Sequence, residues 1–259
     1  MSGAEKESTT QDFKTSVKRI LEMVEAGEEV VVTSKRGTVT IPKLLREKLS
    51  LKDVIPSSRF SAVLFDVGGV MLTNGWDHKE RAVVLAQFGL DKDTFEAKHP
   101  EPYDALERDT ISMLNYLNAT IFYEPRSFTP DDFIAAMKEV SVPIPSNAIG
   151  VLGEIAASNR WIVGLLNNES RLLHEYRMEK YNLKQHLDVQ LSSCYLALRK
   201  PEPAIYKRAL DILGLPGERV IFIDDRKENA DAAASVGMHA IQFQNEAQLR
   251  FDLQQLGIL

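Results

Sequence analysis

The chain has 259 residues, 44% hydrophobic and 26% charged. This is the make-up of an ordinary soluble globular protein, and it excludes a fibre, a disordered tail and a disulfide scaffold. At about 150 residues per domain the length corresponds to one or two domains, and the net charge of −6 gives no overall attraction for nucleic acid or an anionic membrane. No apolar run nears the roughly 18 residues that cross a bilayer, so no membrane association is expected. Residues 1–11 lack the apolar core of a secretory signal. The single cysteine, Cys194, suits a reducing compartment, and a cytoplasmic location is expected.

In chain order, the first sixty residues carry 11 basic and 9 acidic side chains, net +2, and the remainder is net −8. Residues 11–26 place Phe13, Val17, Ile20, Leu21 and Val24 at helical spacing, and Gly27 ends that helix. A β-branched run over 29–33, a turn at Ser34-Lys35-Arg36-Gly37 and a second short strand around Val39 and Ile41 predict a hairpin. Pro42 opens a helix through Leu49, and Pro56-Ser57-Ser58 reads as a linker. Residues 1–57 are therefore expected to form a small α+β module, and 58–259 a second domain.

From Arg59 the pattern becomes alternating strand and helix. Short apolar runs occur at 61–65, 161–166, 187–191, 219–223 and 240–243, with helical stretches at about 169–181, 202–213 and 227–236. Near-continuous apolar strands separated by helices predict a doubly wound parallel sheet, an α/β fold. The first connection, from Phe65 to Trp161, is far longer than an ordinary crossover, and it shows helical periodicity at Val83, Val84, Ala86 and Phe88 and again at Phe133, Ile134, Met137 and Val140. It predicts a helical cap over about 76–150 at the carboxyl edge of the sheet.

In open α/β sheets ligands bind beyond the carboxyl ends of the strands. The polar residues there are Asp66, then Asn167 and Asn168, then Arg199 and Lys200, then Asp224 and Asp225. Crowded carboxylates repel one another unless a cation sits among them. An oxygen-only set that leaves room for water and phosphate suits Mg²⁺. Lys200 adds positive charge toward an anionic substrate or the nucleophile. Singly, each Asp reads equally well as a helix cap; together they predict a site. Cys194 has no accompanying His motif and is expected to be inert, His174 and His186 to be surface or packing residues, and Trp76, His78 and Glu80 to mark either a substrate contact or a solvated helix start.

Four segments, Phe65-Asp66-Val67-Gly68-Gly69-Val70, Leu165-Leu166-Asn167-Asn168, Arg199-Lys200-Pro201-Glu202-Pro203 and Ile223-Asp224-Asp225, resemble in order and spacing the four motifs of the haloacid dehalogenase superfamily. The resemblance implies a Rossmann-like core over 58–259 and a Mg²⁺-dependent phosphatase acting on a small phosphorylated metabolite. It implies Asp66 as nucleophile, Asn167 as phosphoryl ligand, Asn168 as a further substrate-binding residue, and Lys200 binding substrate while steadying both nucleophile and phosphoryl. Asp66, Asp224, Asp225 and the Gly68 carbonyl would hold the metal. Phosphatases of the family usually place a second Asp, the general acid/base, where Gly68 stands. A 2-haloacid dehalogenase, whose halide leaves without an acid, is the alternative enzyme, although paired Asp224-Asp225 does nothing for metal-free displacement.

The segment 31–43, with Arg46 and Leu49 following, resembles AbrB-type swapped-hairpin DNA-binding modules, and 23–33 resembles Phd-type antitoxins. Both imply a homodimer and DNA contacts through Lys35, Arg36, Lys43 and Arg46. A weak net +2 and the nearby Glu25, Glu28 and Glu29 equally suit a docking or dimerisation extension. A third expectation follows, a DNA-binding regulator whose second domain only senses a ligand.

Overall fold

The computed structural model divides the chain into two compact units, Met1–Ser57 and Ser58–Leu259. It describes two strands of the first unit and residues 59–259 of the second. In the first unit, β1 (Val30–Ser34) pairs antiparallel with β2 (Gly37–Ile41), with Val30 opposite Ile41 and Ser34 opposite Gly37. The expected helices at 11–26 and 42–49, the linker 56–58, and Lys35, Arg36, Lys43 and Arg46 lie outside the described residues.

In the second unit, β3 (Ala62–Phe65), β4 (Ile162–Leu165), β5 (Val189–Gln190), β6 (Val220–Asp224) and β7 (His239–Gln242) form one sheet in the order β5-β4-β3-β6-β7. Every pairing in it is parallel. The expected α/β class is the one observed, with strand bounds within a residue or so except at β5. That strand is only two residues long: before it Asp188 N still donates to Val163 O at 2.8 Å, but the Asp188 carboxylate, in place of a backbone carbonyl, accepts from Val163 N at 3.0 Å.

Alternation along the central strand sorts the core into two layers. Val63 and Phe65 pack with α6 (Ala148–Ser158) and α11 (Glu246–Gln255), through Val151, Leu152, Leu249 and Leu253. Ala62 and Leu64 pack with α9 (Pro203–Leu213) and α10 (Lys227–Ser235), through Ile205, Ala209 and Ala233. Both faces of the sheet are therefore dry, which is why its strands read as unbroken apolar runs.

The insertion holds α1 (His78–Gln87), α2 (Lys92–Lys98), α3 (Pro100–Glu107), α4 (Met113–Thr120) and α5 (Pro130–Glu139). These helices share a hydrophobic cluster of their own around Trp76, Phe95, Tyr116 and Phe133. Its two connections to the sheet run side by side, with Thr73 N donating to Val142 O at 2.8 Å and Ile144 N to Met71 O at 3.2 Å. Ala148 already belongs to the core layer, so the cap closes before the 150 expected from sequence, at the pairing of 142–144 with 71–73.

Arg177, on α7 (Arg171–Lys180), fastens both connections. Its Nη2 donates to Thr73 O and its Nε to Ser141 Oγ, each at 2.7 Å, while Nη1 lies 3.1 Å from Glu169 Oε2. The pair is buried on both sides, and burial pushes the Glu169 carboxyl up to about 7. Trp76 is fully buried and donates to Tyr116 Oη at 2.7 Å. It is an anchor of the cap interior, which corrects both readings offered for it from sequence.

Candidate active site

Parallel register decides which polar residues meet. Phe65 lies opposite Ile223, so the residues that follow them, Asp66 and Asp224, emerge side by side at one edge. Asp66 N donates to Ile223 O at 2.8 Å, and Val67 N donates back to Asp66 Oδ1 at 2.8 Å. Asp224 Oδ1 accepts from Arg226 N at 2.9 Å and from Asn229 Nδ2 at 3.0 Å, which locks its rotamer. Lys200 comes in from the loop before α9, with its Nζ 2.9 Å from Asp66 Oδ1 and 2.6 Å from Asp224 Oδ2.

Oxygens of Asp66, Asp224 and Asp225 lie within 4.8 Å of one another. Three carboxylates against one ammonium leave the cluster net negative. Burial pushes the Asp66 carboxyl up to about 7 against the pull of Lys200, with Asp224 and Asp225 adding to the rise. Burial and the Asp224 charge likewise raise Asp225. Burial alone would depress Lys200, but Asp224 and Asp66 hold its pKa above the ordinary lysine value. Asp225 Oδ1 is buried without a hydrogen-bond partner, a costly state that a cation would relieve. Gly69, at φ +70°, permits this approach, since a Cβ there would lie 2.1 Å from Asp225 Oδ2. An all-oxygen, carboxylate-rich set of this kind fits a hard divalent cation.

A cavity of about 90 Å³ opens onto Asp66, Gly68, Asn168 and Lys200 on the core side, and onto Asp77, Tyr103 and Glu107 on the cap side. Asn167 is not among its lining residues; it is buried, with its Oδ1 unpartnered. Asn168 lines the cavity and also serves Lys200. Its Nδ2 donates to Lys200 O at 2.9 Å and its Oδ1 accepts from Lys200 N at 2.8 Å, so the side chain is committed to the Lys200 backbone. A Cβ on Gly68 would lie 2.9 Å from Asn74 Oδ1, so Asn74 occupies the space where a side chain at 68 would begin. Cys194, on the short α8 (Ser193–Leu196), is buried, which pushes its thiol up to about 11 and agrees with an inert role. His174 is fully buried, a packing residue with Nε2 3.1 Å from Gln190 Oε1.

Sequence reasoning did not find Asn74, Asp77, Tyr103, Glu107 or Arg226 at this cavity. Arg226 pairs with Asp77 at 2.5 Å, joining the loop after β6 to the N-cap of α1. Its place directly after Asp225 was the available signal for it. The cap residues had none, because their spacing is that of any amphipathic helix.

A parallel sheet with a helical cap and acidic residues converging at the strand ends defines a hydrolase of the α/β class. Residues 60–237 match the family of haloacid dehalogenase-like hydrolases, and the chain belongs to that family. It is 29% identical over 176 residues to a chloroplast flavin mononucleotide hydrolase of Arabidopsis thaliana, covering 68% of this chain and 70% of that protein. It is 25% identical over 222 residues to a sesquiterpene phosphatase of Aspergillus oryzae, covering 76% of this chain and 96% of the relative. An (S)-2-haloacid dehalogenase of Burkholderia cepacia matches at 26% identity, over 53% of this chain and 58% of its own. A HAD-family enzyme from Bacteroides thetaiotaomicron, crystallised with magnesium and inorganic phosphate, shares the fold with TM-score 0.61 and 19% identity, over 71% of this chain and 94% of that one. Among the described residues no helix is long and apolar enough to cross a membrane.

Proposed function

We propose that the chain is a Mg²⁺-dependent phosphatase of a small phosphorylated metabolite, working through an aspartyl-phosphate on Asp66. One observation carries the reading: Lys200 bridges Asp66 and Asp224 while Asp225 presents an unpartnered buried oxygen to the same point. Asp66, Asp224, Asp225 and the Gly68 carbonyl would hold the metal, which supplies positive charge against the phosphoryl oxygens. Relatives named as a flavin mononucleotide hydrolase and a sesquiterpene phosphatase, and a neighbour crystallised with magnesium and phosphate, support it.

In the first step an Asp66 oxygen forms a bond to phosphorus as the ester P–O bond breaks, and the departing alkoxide takes a proton. In the second, water attacks phosphorus and frees Asp66 and inorganic phosphate. Lys200 holds Asp66 in position and offsets charge on the transferring phosphoryl, and Asn168 fixes Lys200. Asn167 is proposed as a further phosphoryl ligand. Gly68 has no side chain to donate a proton, so the alkoxide draws it from water. That absence makes turnover sensitive to the basicity of the leaving group.

The dehalogenase reading has the Burkholderia relative in its favour. The paired Asp224-Asp225 and the orphaned Asp225 oxygen favour the metal-dependent reaction. Phosphate release from aryl, acyl and alkyl phosphates, with Mg²⁺ or with EDTA, tests the choice alongside Asp66→Asn. The phosphatase reading expects turnover that requires both the metal and Asp66. Chloride release from a 2-chloroacid in EDTA, without phosphate release in Mg²⁺, would reverse it. The first unit is proposed as a dimerisation or DNA-contacting module, tested by sedimentation and by a gel shift with operator DNA that Lys35→Ala/Arg36→Ala abolishes.

A further inference from the structure

We propose that the alcohol released from the phosphate ester is short, uncharged and hydroxyl-bearing, of about the size of glycerol or a tetritol, and is gripped by the Tyr103–Glu107 edge of the cap. The proposal rests on the phosphatase reading and narrows its substrate.

The first ground is room. With the cap in this position the cavity measures about 90 Å³, against roughly 300–1,000 Å³ for sites that take drug-sized ligands. A phosphoryl group and a few further atoms fill it. A flavin, a nucleoside or a terpenyl chain does not fit beneath this cap.

The second ground is the chemistry of the wall. Among the described residues no aliphatic side chain lines the cavity. An apolar leaving group would therefore strip water from polar groups and return no hydrogen bond.

The third ground is charge. Each cationic side chain of the wall already faces a carboxylate. Arg199 Nε lies 2.5 Å from Glu107 Oε2 and its Nη1 2.6 Å from Asp104 Oδ1. Arg226 is 2.5 Å from Asp77, Arg177 is 3.1 Å from Glu169, and Lys200 holds Asp66 and Asp224. A substrate with a carboxylate or second phosphate would have to compete with a carboxylate already placed at each of these cations.

What the wall still offers is hydrogen bonding. Glu107 is 3% exposed and lines the cavity, with its Oε2 held 2.5 Å from Arg199 Nε. The Tyr103 hydroxyl lines the same edge of the cavity as Glu107. A carboxylate oxygen accepts more than one hydrogen bond and a phenol hydroxyl both donates and accepts, so this edge matches an alcohol hydroxyl, which does both.

The test is kcat/KM of the full-length chain with Mg²⁺ on glycerol phosphate, erythritol phosphate, flavin mononucleotide, a pyrimidine nucleotide, phosphoglycerate and farnesyl phosphate. Acetyl phosphate serves as the reference that needs no alcohol contact. Glycerol or erythritol phosphate should lead the alkyl esters. The ratio of its kcat/KM to that of acetyl phosphate should fall about tenfold in Glu107→Gln and in Tyr103→Phe, the loss of roughly one hydrogen bond. Tyr103→Phe keeps the readout if Glu107→Gln does not fold. A flavin, nucleotide, phosphoglycerate or farnesyl ester in the lead, or a ratio unmoved in folded variants, overturns the proposal alone. A wild-type chain inert toward all of them, acetyl phosphate included, overturns the phosphatase reading and the proposal with it.

Discussion

Asn168 and Lys200 hold each other by the backbone of one and the side chain of the other, through two hydrogen bonds of 2.8 and 2.9 Å. Asn168 follows β4, and Lys200 belongs to the loop before α9, so the clasp joins two of the four strand-end loops that meet at the site. Asn168→Ala should let the Lys200 ammonium drift from Asp66 and Asp224. A misplacement of about 1 Å can cost about 10²-fold in rate, and the loss should fall on kcat with KM nearly unchanged. Steady-state kinetics read the split, and a rise in KM alone would mean that Asn168 touches substrate after all.

Lys200 pairs with both Asp66 and Asp224, and it is 4% exposed. Lys200→Met keeps the length of the side chain and removes its charge. Breaking a buried pair of this kind costs about 3–5 kcal/mol, and loss of a preorganised stabiliser about 10²–10³-fold in kcat. Urea unfolding and phosphate release check the two numbers separately. A variant as stable as wild type would show that the carboxylates share a proton instead of leaning on Lys200.

Gly68 has a second testable consequence. Gly68→Asp alone meets Asn74, whose Oδ1 lies 2.9 Å from where the new Cβ would sit. Combined with Asn74→Gly, it loses the closest clash, and a shift of a few tenths of an ångström from the Cα of residue 74, 3.2 Å away, lets the carboxyl turn toward the leaving group. General acid assistance is worth about 10²–10⁴-fold. The double variant should therefore gain most on alkyl esters and least on acetyl phosphate, flattening the dependence of kcat/KM on leaving-group pKa. An equal change on every ester would show that proton transfer does not limit turnover.

His174 supplies a pH-dependent term in stability. Burial holds its imidazole down at about 4, below the free value of 6.5. Above pH 6.5 it is neutral folded or unfolded and contributes nothing to the slope. As pH falls from 6.5 toward 4 the unfolded chain takes up a proton that the folded chain refuses, so stability is lost across that window. The wild type should thus lose stability relative to His174→Gln between pH 6.5 and 4, by up to a few kcal/mol at about 1.4 per pKa unit. Urea unfolding at several pH values measures the difference, and a difference independent of pH would show that His174 is not held neutral.

The core of the site was legible because buried parallel strands must be apolar throughout, so the first polar residue after each one stands out. Asp66, Asn167 and Asp224 were visible in this way, and parallel register then set Asp66 beside Asp224. Asn168 stood at the right edge, but its bonds to the Lys200 backbone were not legible, since a side chain's hydrogen bond to a peptide of another loop leaves no trace in spacing. Trp76 looked like a residue at an exposed helix start, yet it is sealed inside the cap by Phe95, Tyr116 and Phe133. Tyr103 and Glu107 stayed hidden for the opposite reason. A helix presents several faces, and only the assembled cap shows that this one turns toward Asp66.

The most direct measurement is the mass of the peptide carrying Asp66 after acid quench during turnover of a good substrate with Mg²⁺. The phosphoryl group should be found on Asp66 itself, at a level that falls as substrate is exhausted, and be absent with EDTA and in Asp66→Asn. Steady phosphate release with the Asp66 peptide unmodified at every time point, under a quench that preserves acyl phosphates, would contradict the aspartyl-phosphate mechanism.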